Sequence, residues 1–199
     1  MPTKSFFPDV DIPDLDILTF FLENADRGTL RYSPDKPIFF DGSSDKTLSY
    51  NQVKKVSRSF GAGLVFKWGW KKGDVMCIVS PNHIDYASAM WGVHYALGGV
   101  TTANPAYGVD ELAFQLQNSK SKGVIAHPQT VEIVVKACDK IGLPRNRILL
   151  IGRIAAKGVK SWETMFSGKM APSTNGRINP KEDVAFIVYS SGTTGLPKG

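Results

Sequence analysis

Residues 73–103, GDVMCIVSPNHIDYASAMWGVHYALGGVTTA, predict a strand, a helix and a second strand in succession. The apolar run at 75–79 is continuous, which is typical of a strand covered on both faces. A Pro-Asn pair ends this run, and the residues from about 84 to 97 predict a helix that closes at Gly98-Gly99. A short strand follows at 100–103. A strand, a crossover helix and another strand predict two parallel strands of one sheet.

The same alternation continues on both sides of this unit. Upstream, two short apolar runs around an Asp-Gly turn predict a hairpin near residues 37–50, which could be antiparallel. The further predicted elements are a short helix near 17–22, a helix with Val53, Val56, Phe60 and Leu64 on one face, a helix from Asp110 or Glu111 with Leu112 and Leu116, strand 123–126, helix 131–141 closed by Gly142, strand 147–151, a short helix at 162–166 and a buried strand at 184–188. We therefore predict an α/β fold with a mainly parallel sheet and flanking helices.

The composition is that of a globular protein. Of 199 residues, 42% are apolar and 21% are charged, which excludes disordered and collagen-like classes. The two cysteines, Cys77 and Cys138, are too few for a disulfide framework, so a reduced intracellular chain is expected with both thiols in the core. The net charge of +6 comes from scattered lysines, and without a basic cluster we expect no nucleic-acid partner.

No targeting signal is evident in the sequence. No apolar stretch approaches the ~20 residues that a membrane-spanning helix needs, so no transmembrane segment is expected. Acidic residues at 9, 11, 14 and 16 occupy the place of a signal-peptide core. The expected compartment is the cytosol, and a peroxisomal tripeptide at a C-terminus beyond Gly199 stays an open alternative.

Residues 189–199, YSSGTTGLPKG, directly follow the last predicted strand and carry the strongest functional signal. Glycines let backbone N–H groups approach an anion, hydroxyl groups can donate to phosphate oxygens, and Lys198 adds a full positive charge. This set fits a polyphosphate, whose leaving pyrophosphate is highly charged. The string is not a Walker A loop, because Pro197 precedes the lysine and Gly199 follows it where a Ser or Thr would bind magnesium.

The string resembles the nucleotide-binding signature of the adenylate-forming (AMP-binding) enzymes, which include acyl-CoA synthetases and 4-coumarate–CoA ligases. The stretches at 73–75, 80–82 and 98–107 resemble the 4-coumarate–CoA ligase branch. The resemblance implies that ATP and a carboxylic acid form an acyl-adenylate, which coenzyme A then converts to a thioester, with Mg²⁺ neutralising the polyphosphate. The residues that match family positions contacting ATP are Ser190, Ser191, Gly192, Thr193, Thr194 and Lys198.

The resemblance also implies a domain assignment. Residues 1–199 match the N-terminal portion of the large adenylate-forming domain, and the remainder of that domain and the C-terminal domain are absent. No catalytic residue is therefore assigned, and we expect the chain alone to be inactive. The alternatives are a peptide-synthetase-type adenylation domain, which would pass the acyl group to a carrier protein, and a non-catalytic fragment that binds a nucleotide or a partner.

The histidines are weak candidates for chemistry. His83 follows the strand at 75–79, where ligands bind in parallel sheets, but a turn or capping role is the better interpretation. His94 and His127 have no second histidine or cysteine at metal spacing, so no metal ligand is predicted. Asn104 and Pro105 are expected to form a turn.

Overall fold

The computed structural model describes residues 4–10, 13–23, 33–170, 177–190 and 199. Its main feature is a six-stranded sheet in the order β7-β6-β5-β3-β4-β8, in which every neighbouring pair is parallel. The strands are β3 (Val75–Val79), β4 (Gly99–Ala103), β5 (Ser121–Ala126), β6 (Ile148–Leu150), β7 (Lys160–Ser161) and β8 (Phe186–Ile187). The predicted parallel sheet is confirmed, with β3 and β4 as direct neighbours.

Four helices cover the two faces of this sheet. They are α1 (Tyr50–Trp68), α2 (Tyr86–Tyr95), α3 (Val109–Asn118) and α4 (Val131–Ile141). Ser49 caps α1 in a reciprocal arrangement with Gln52, and Gly69 ends it with a left-handed φ of 64°. Short 3-10 turns lie at Arg145–Arg147 and Trp162–Met165, and a π-helical turn lies at Thr19–Glu23. Among the described residues, no helix has both the length and the apolar character needed to cross a bilayer.

The sheet separates two hydrophobic cores. Met76 and Ile78 of β3 pack with side chains of α1 and α2, and Cys77 and Val79 pack with side chains of α3 and α4. Successive residues of one strand thus enter opposite cores, as the continuous apolar run predicts. Both cysteines are buried and free, in agreement with their predicted place in the core, and burial raises the pKa of the Cys138 thiol to about 12.

The N-terminal hairpin forms a separate sheet. β1 (Pro37–Phe40) and β2 (Thr47–Ser49) pair in antiparallel fashion, as the sequence suggests, but they do not join the edge of the main sheet. Lys46, at the end of the turn, instead makes an ion pair with the buried Asp85 carboxylate at 2.7 Å. This pair fastens the hairpin to the start of α2.

Two sequence interpretations need correction. The last strand is not a buried run over 184–188. Within the described ranges, β8 contains two paired residues and borders only β4, and Val184 and Val188 are mostly exposed. The two glycines after α2 do not form its left-handed cap, since Leu97 takes the positive φ of 63°. A Cβ on Gly98 would lie 2.5 Å from Trp70 Nε1 and 2.7 Å from the Asp74 carbonyl oxygen, so this glycine allows a close approach of chains.

Candidate functional site

The carboxyl ends of the parallel strands bring the sequence candidates to one edge of the sheet. His83 follows β3, Asn104 follows β4, His127 follows β5 and Ser190 follows β8. Ligands of open parallel sheets bind at this edge, because loops and helix N-termini converge there. We call it the carboxyl edge.

The structure describes only the start of the predicted phosphate loop. Ser190 is exposed and lies three residues beyond the end of β8. Ser191, Gly192, Thr193, Thr194 and Lys198 lie outside the described residues, so their predicted contacts with ATP stay predictions. The described residues on either side of this segment are Tyr189 and Ser190 before it and Gly199 after it.

The two ends of the loop lie against each other. A Cβ on Gly199 would lie 2.6 Å from Cζ of Tyr189, so the backbone at 199 packs directly on the tyrosine ring. Tyr189 is also held from the other side, because its hydroxyl donates a hydrogen bond to Oδ1 of Asn118 at the end of α3. Burial raises the pKa of this phenol. Tyr189 and Gly199, which flank the predicted phosphate loop in the sequence, are thus in direct contact.

A buried polar network holds the strand that leads to the loop. Nε2 of Gln115 donates to Oγ1 of Thr101 at 2.9 Å and to the Thr102 carbonyl at 3.1 Å. Thr101 Oγ1 in turn donates to the Ile187 carbonyl of β8 at 2.8 Å. Thr101 and Gln115 are both fully buried. α3 is therefore connected to β8 through the side chain of Thr101 in β4.

Sequence reasoning missed this network. The signal that could have revealed it is Gln115, which stands beside Leu116 and three residues after Leu112 on the apolar face of α3. A polar side chain at a core position needs a partner, because an unpaired buried amide is costly. Its partner strand could not be deduced from the sequence.

The two histidines at the carboxyl edge contact each other, with ring centroids 6.0 Å apart. Nδ1 of His83 accepts the backbone N–H of Asp85, which supports its predicted role in the turn before α2, and Nδ1 of His127 accepts the N–H of Gln129. Burial lowers the pKa of both rings, and the charge of His83 lowers the pKa of His127 further. No group of three or more His, Cys, Asp or Glu residues that could hold a metal ion is present in the described ranges.

A cleft of about 570 Å³ lies at the opposite edge of the sheet. It is bordered by the first residue of β3, by the residues before β4 and β8, and by the N-terminal segment. The lining side chains are mainly apolar, among them Leu15, Leu18, Leu97 and Val184. Its position at the amino ends of the strands separates it from Ser190.

Comparisons with known proteins agree with this arrangement. A phenylacetyl-CoA ligase of Aspergillus niger is 31% identical over 197 residues, covering 95% of this chain and 35% of the relative. A 4-coumarate–CoA ligase of Petroselinum crispum is also 31% identical over 197 residues, covering 98% of this chain and 34% of the relative. The chain therefore spans about a third of the length of these curated relatives.

The fold is shared with solved structures. The crystal structure of an anthranilate–CoA ligase in complex with anthranoyl-AMP superposes with a TM-score of 0.79 at 19% identity, covering 94% of this chain and 35% of that one. The family model described as AMP-binding enzyme matches residues 27–199, which is most of the chain and includes the whole predicted phosphate loop. This chain belongs to the AMP-binding enzyme family.

Proposed function

We propose that residues 1–199 are the N-terminal portion of the adenylate-forming domain of an acid–CoA ligase. In the proposed reaction, a carboxylate oxygen attacks the α-phosphorus of ATP and pyrophosphate leaves with the broken P–O bond. The thiolate of coenzyme A then attacks the acyl carbonyl carbon, and AMP leaves. Membership of the AMP-binding family and the CoA-ligase names of the curated relatives support this proposal.

The proposed role of this chain is to bind the triphosphate. Ser190, Ser191, Gly192, Thr193, Thr194 and Lys198 would surround the phosphate oxygens with N–H, O–H and ammonium donors. Donors that are fixed before the reaction stabilise the charge that develops on the leaving pyrophosphate. Mg²⁺ would accompany ATP and neutralise part of its charge. The cytosolic compartment and a small-molecule carboxylic acid as substrate belong to the same proposal.

One observation carries the proposal: the phosphate-loop string begins at the carboxyl end of a parallel strand, in a chain that the family model matches through residue 199. In a parallel sheet, this is the edge at which nucleotides bind. The hydrogen bond of Tyr189 to Asn118 and its contact with Gly199 fix the two residues that flank the string.

The direct test is a calorimetric titration of the chain with ATP and Mg²⁺. We expect saturable binding, and we expect Lys198→Ala to weaken it by roughly ten- to hundredfold, because a hydrogen bond to a charged group is lost. Chelation of Mg²⁺ should also weaken binding, since the polyphosphate charge is then less neutralised.

The matched control is Lys181→Ala, which removes an exposed lysine that precedes β8 in the sequence. It lowers the net charge by the same amount and should leave the affinity for ATP unchanged. Equal weakening by both variants would reduce the effect to general electrostatics, and the absence of any ATP binding by the wild-type chain would overturn the proposed role.

A further inference from the structure

The backbone hydrogen bonds of β8 would by themselves hold this strand only weakly. Among the described residues it pairs with β4 alone, over the two positions Val100↔Phe186 and Thr101↔Ile187, and its side chains are half-buried. A two-residue edge strand has few ladder hydrogen bonds to oppose fraying. The residues that follow it would inherit this freedom unless other groups restrain the strand.

α3 supplies two restraints, one from the buried Gln115 and one from the exposed Asn118 at its C-terminal end. The first runs from Gln115 through Thr101 Oγ1 to the Ile187 carbonyl, with donor–acceptor distances of 2.9 and 2.8 Å. The second joins Asn118, one helical turn further along, to the hydroxyl of Tyr189. The two restraints contact β8 and its extension two residues apart, immediately before Ser190.

The direction of the first restraint is determined by its chemistry. The Thr102 carbonyl can only accept, so the amide nitrogen of Gln115 faces it and also donates to Thr101. The Thr101 hydroxyl must then use its own hydrogen for the Ile187 carbonyl. Rotating the Gln115 amide would bring its oxygen against the Thr102 carbonyl oxygen, although Oε1 has no hydrogen-bond partner among the described residues in its present position. The network therefore has one favourable arrangement.

We propose that Thr101, Gln115 and Asn118 are positioning residues that hold the start of the phosphate loop against the sheet. The inference rests on the proposed function and adds to it the residues that orient the loop without touching ATP. Donors aimed at a polyphosphate must be held within a fraction of an ångström to be effective. Anchoring Ile187 and Tyr189 to α3 restricts the position from which Ser190 and its neighbours extend.

The first readout is amide hydrogen exchange of the whole 199-residue chain at positions 187–190. Thr101→Val keeps the shape of the side chain and removes the hydroxyl, and we expect exchange there to become roughly fivefold faster. Thr101→Ser retains the hydroxyl and should restore slow exchange. Thr102→Val is the matched control. The Thr102 side chain is exposed, and this residue takes part in the network only through its backbone carbonyl.

The second readout is the affinity for ATP and Mg²⁺. We expect Thr101→Val and Asn118→Ala each to weaken binding by roughly fivefold, with Thr101→Ser and Thr102→Val close to wild type. Val134→Ala, a buried truncation on α4, provides a variant of reduced stability and should leave the affinity unchanged. If Val134→Ala weakens ATP binding as much as Thr101→Val does, the effect is general destabilisation and the inference is wrong.

The two readouts separate the inference from the proposed function. Exchange at 187–190 that is the same in Thr101→Val and Thr102→Val would overturn the positioning role, whatever ATP does. A wild-type chain that binds no ATP would overturn the proposed function, while faster exchange in Thr101→Val would still establish the restraint on β8.

Discussion

At the scale of single residues, His94 shows how burial sets a protonation state. Its Nδ1 lies 3.1 Å from the Gly98 carbonyl, so this nitrogen carries the proton and donates it, and the ring packs against Trp91 and Phe186. Burial lowers the pKa of His94 to about 4, although the bond to Gly98 and the charge of Asp16 act in the opposite direction. The folded protein therefore keeps this ring neutral.

We predict that His94 lowers the stability of the folded protein as the pH decreases through the mildly acidic range. Between the ordinary pKa of 6.5 and the folded value of about 4, His94 is protonated in the unfolded chain but stays neutral in the folded one. Unfolding is therefore favoured as the pH falls. The expected loss is up to about 3 kcal/mol. Urea unfolding between pH 7.5 and 4 measures it, and His94→Gln should flatten the slope.

His127→Gln is the comparison for this prediction. His127 is more exposed than His94, so its substitution should change the slope less. Equal slopes for the wild type and His94→Gln would show that other groups cause the pH dependence.

At the scale of secondary-structure elements, helix α1 approaches its neighbours through glycines. A Cβ on Gly61 would lie 2.6 Å from the Gly92 carbonyl oxygen of α2, and a Cβ on Gly63 would overlap the Met165 carbonyl. Backbone therefore packs on backbone at both contacts. This explains why an element with intrinsically unfavourable glycines still forms a 19-residue helix.

We predict that Gly63→Ala destabilises the protein by about 1–3 kcal/mol through overpacking. The sign is informative, because helix propensity alone would make alanine more stable by about 1 kcal/mol. Thermal or urea unfolding measures the change. Gly42→Ala, at a site with nothing within 4 Å of the added carbon, should be nearly neutral. A stabilising Gly63→Ala would contradict the close packing of α1 on Met165.

At the scale of the whole molecule, the β8 side of the sheet exposes apolar surface. Val184 and Val188 are 61% and 71% exposed, and Phe40 of the hairpin is 71% exposed. Exposed edge strands with apolar side chains favour association between chains.

We predict that Val188→Lys reduces concentration-dependent self-association, because a lysine on a sheet edge opposes pairing with a second chain. Light scattering over a concentration series measures the effect. Met170→Lys adds the same charge at an exposed apolar residue away from β8 and is the control. If both variants improve solubility equally, net charge is the cause and the edge has no special role.

Much of the fold could be predicted from local pattern. The strand at 75–79 and the helix over 131–141 appear where the sequence places them, and Gly142 takes the left-handed cap with a φ of 72°. The strands β7 and β8 differ from the prediction, because their extent depends on pairing with strands that are distant in the sequence. The strand Lys160–Ser161 has too few residues to carry a pattern, and β8 extends only over the two positions that pair with β4 in the described part of the chain.

The sequence by itself determined the alternation of strands and helices and the parallel sheet, and it predicted the string that binds phosphate. These features depend on residues close in the chain, such as apolar period, glycine and proline. Only the tertiary structure decided that Thr101 bonds to a carbonyl 86 residues away and Asn118 to a tyrosine 71 residues away. Such bonds form because folding brings α3, β4 and β8 together; Thr101 is buried there and needs a partner, whereas the Asn118–Tyr189 bond lies at the surface.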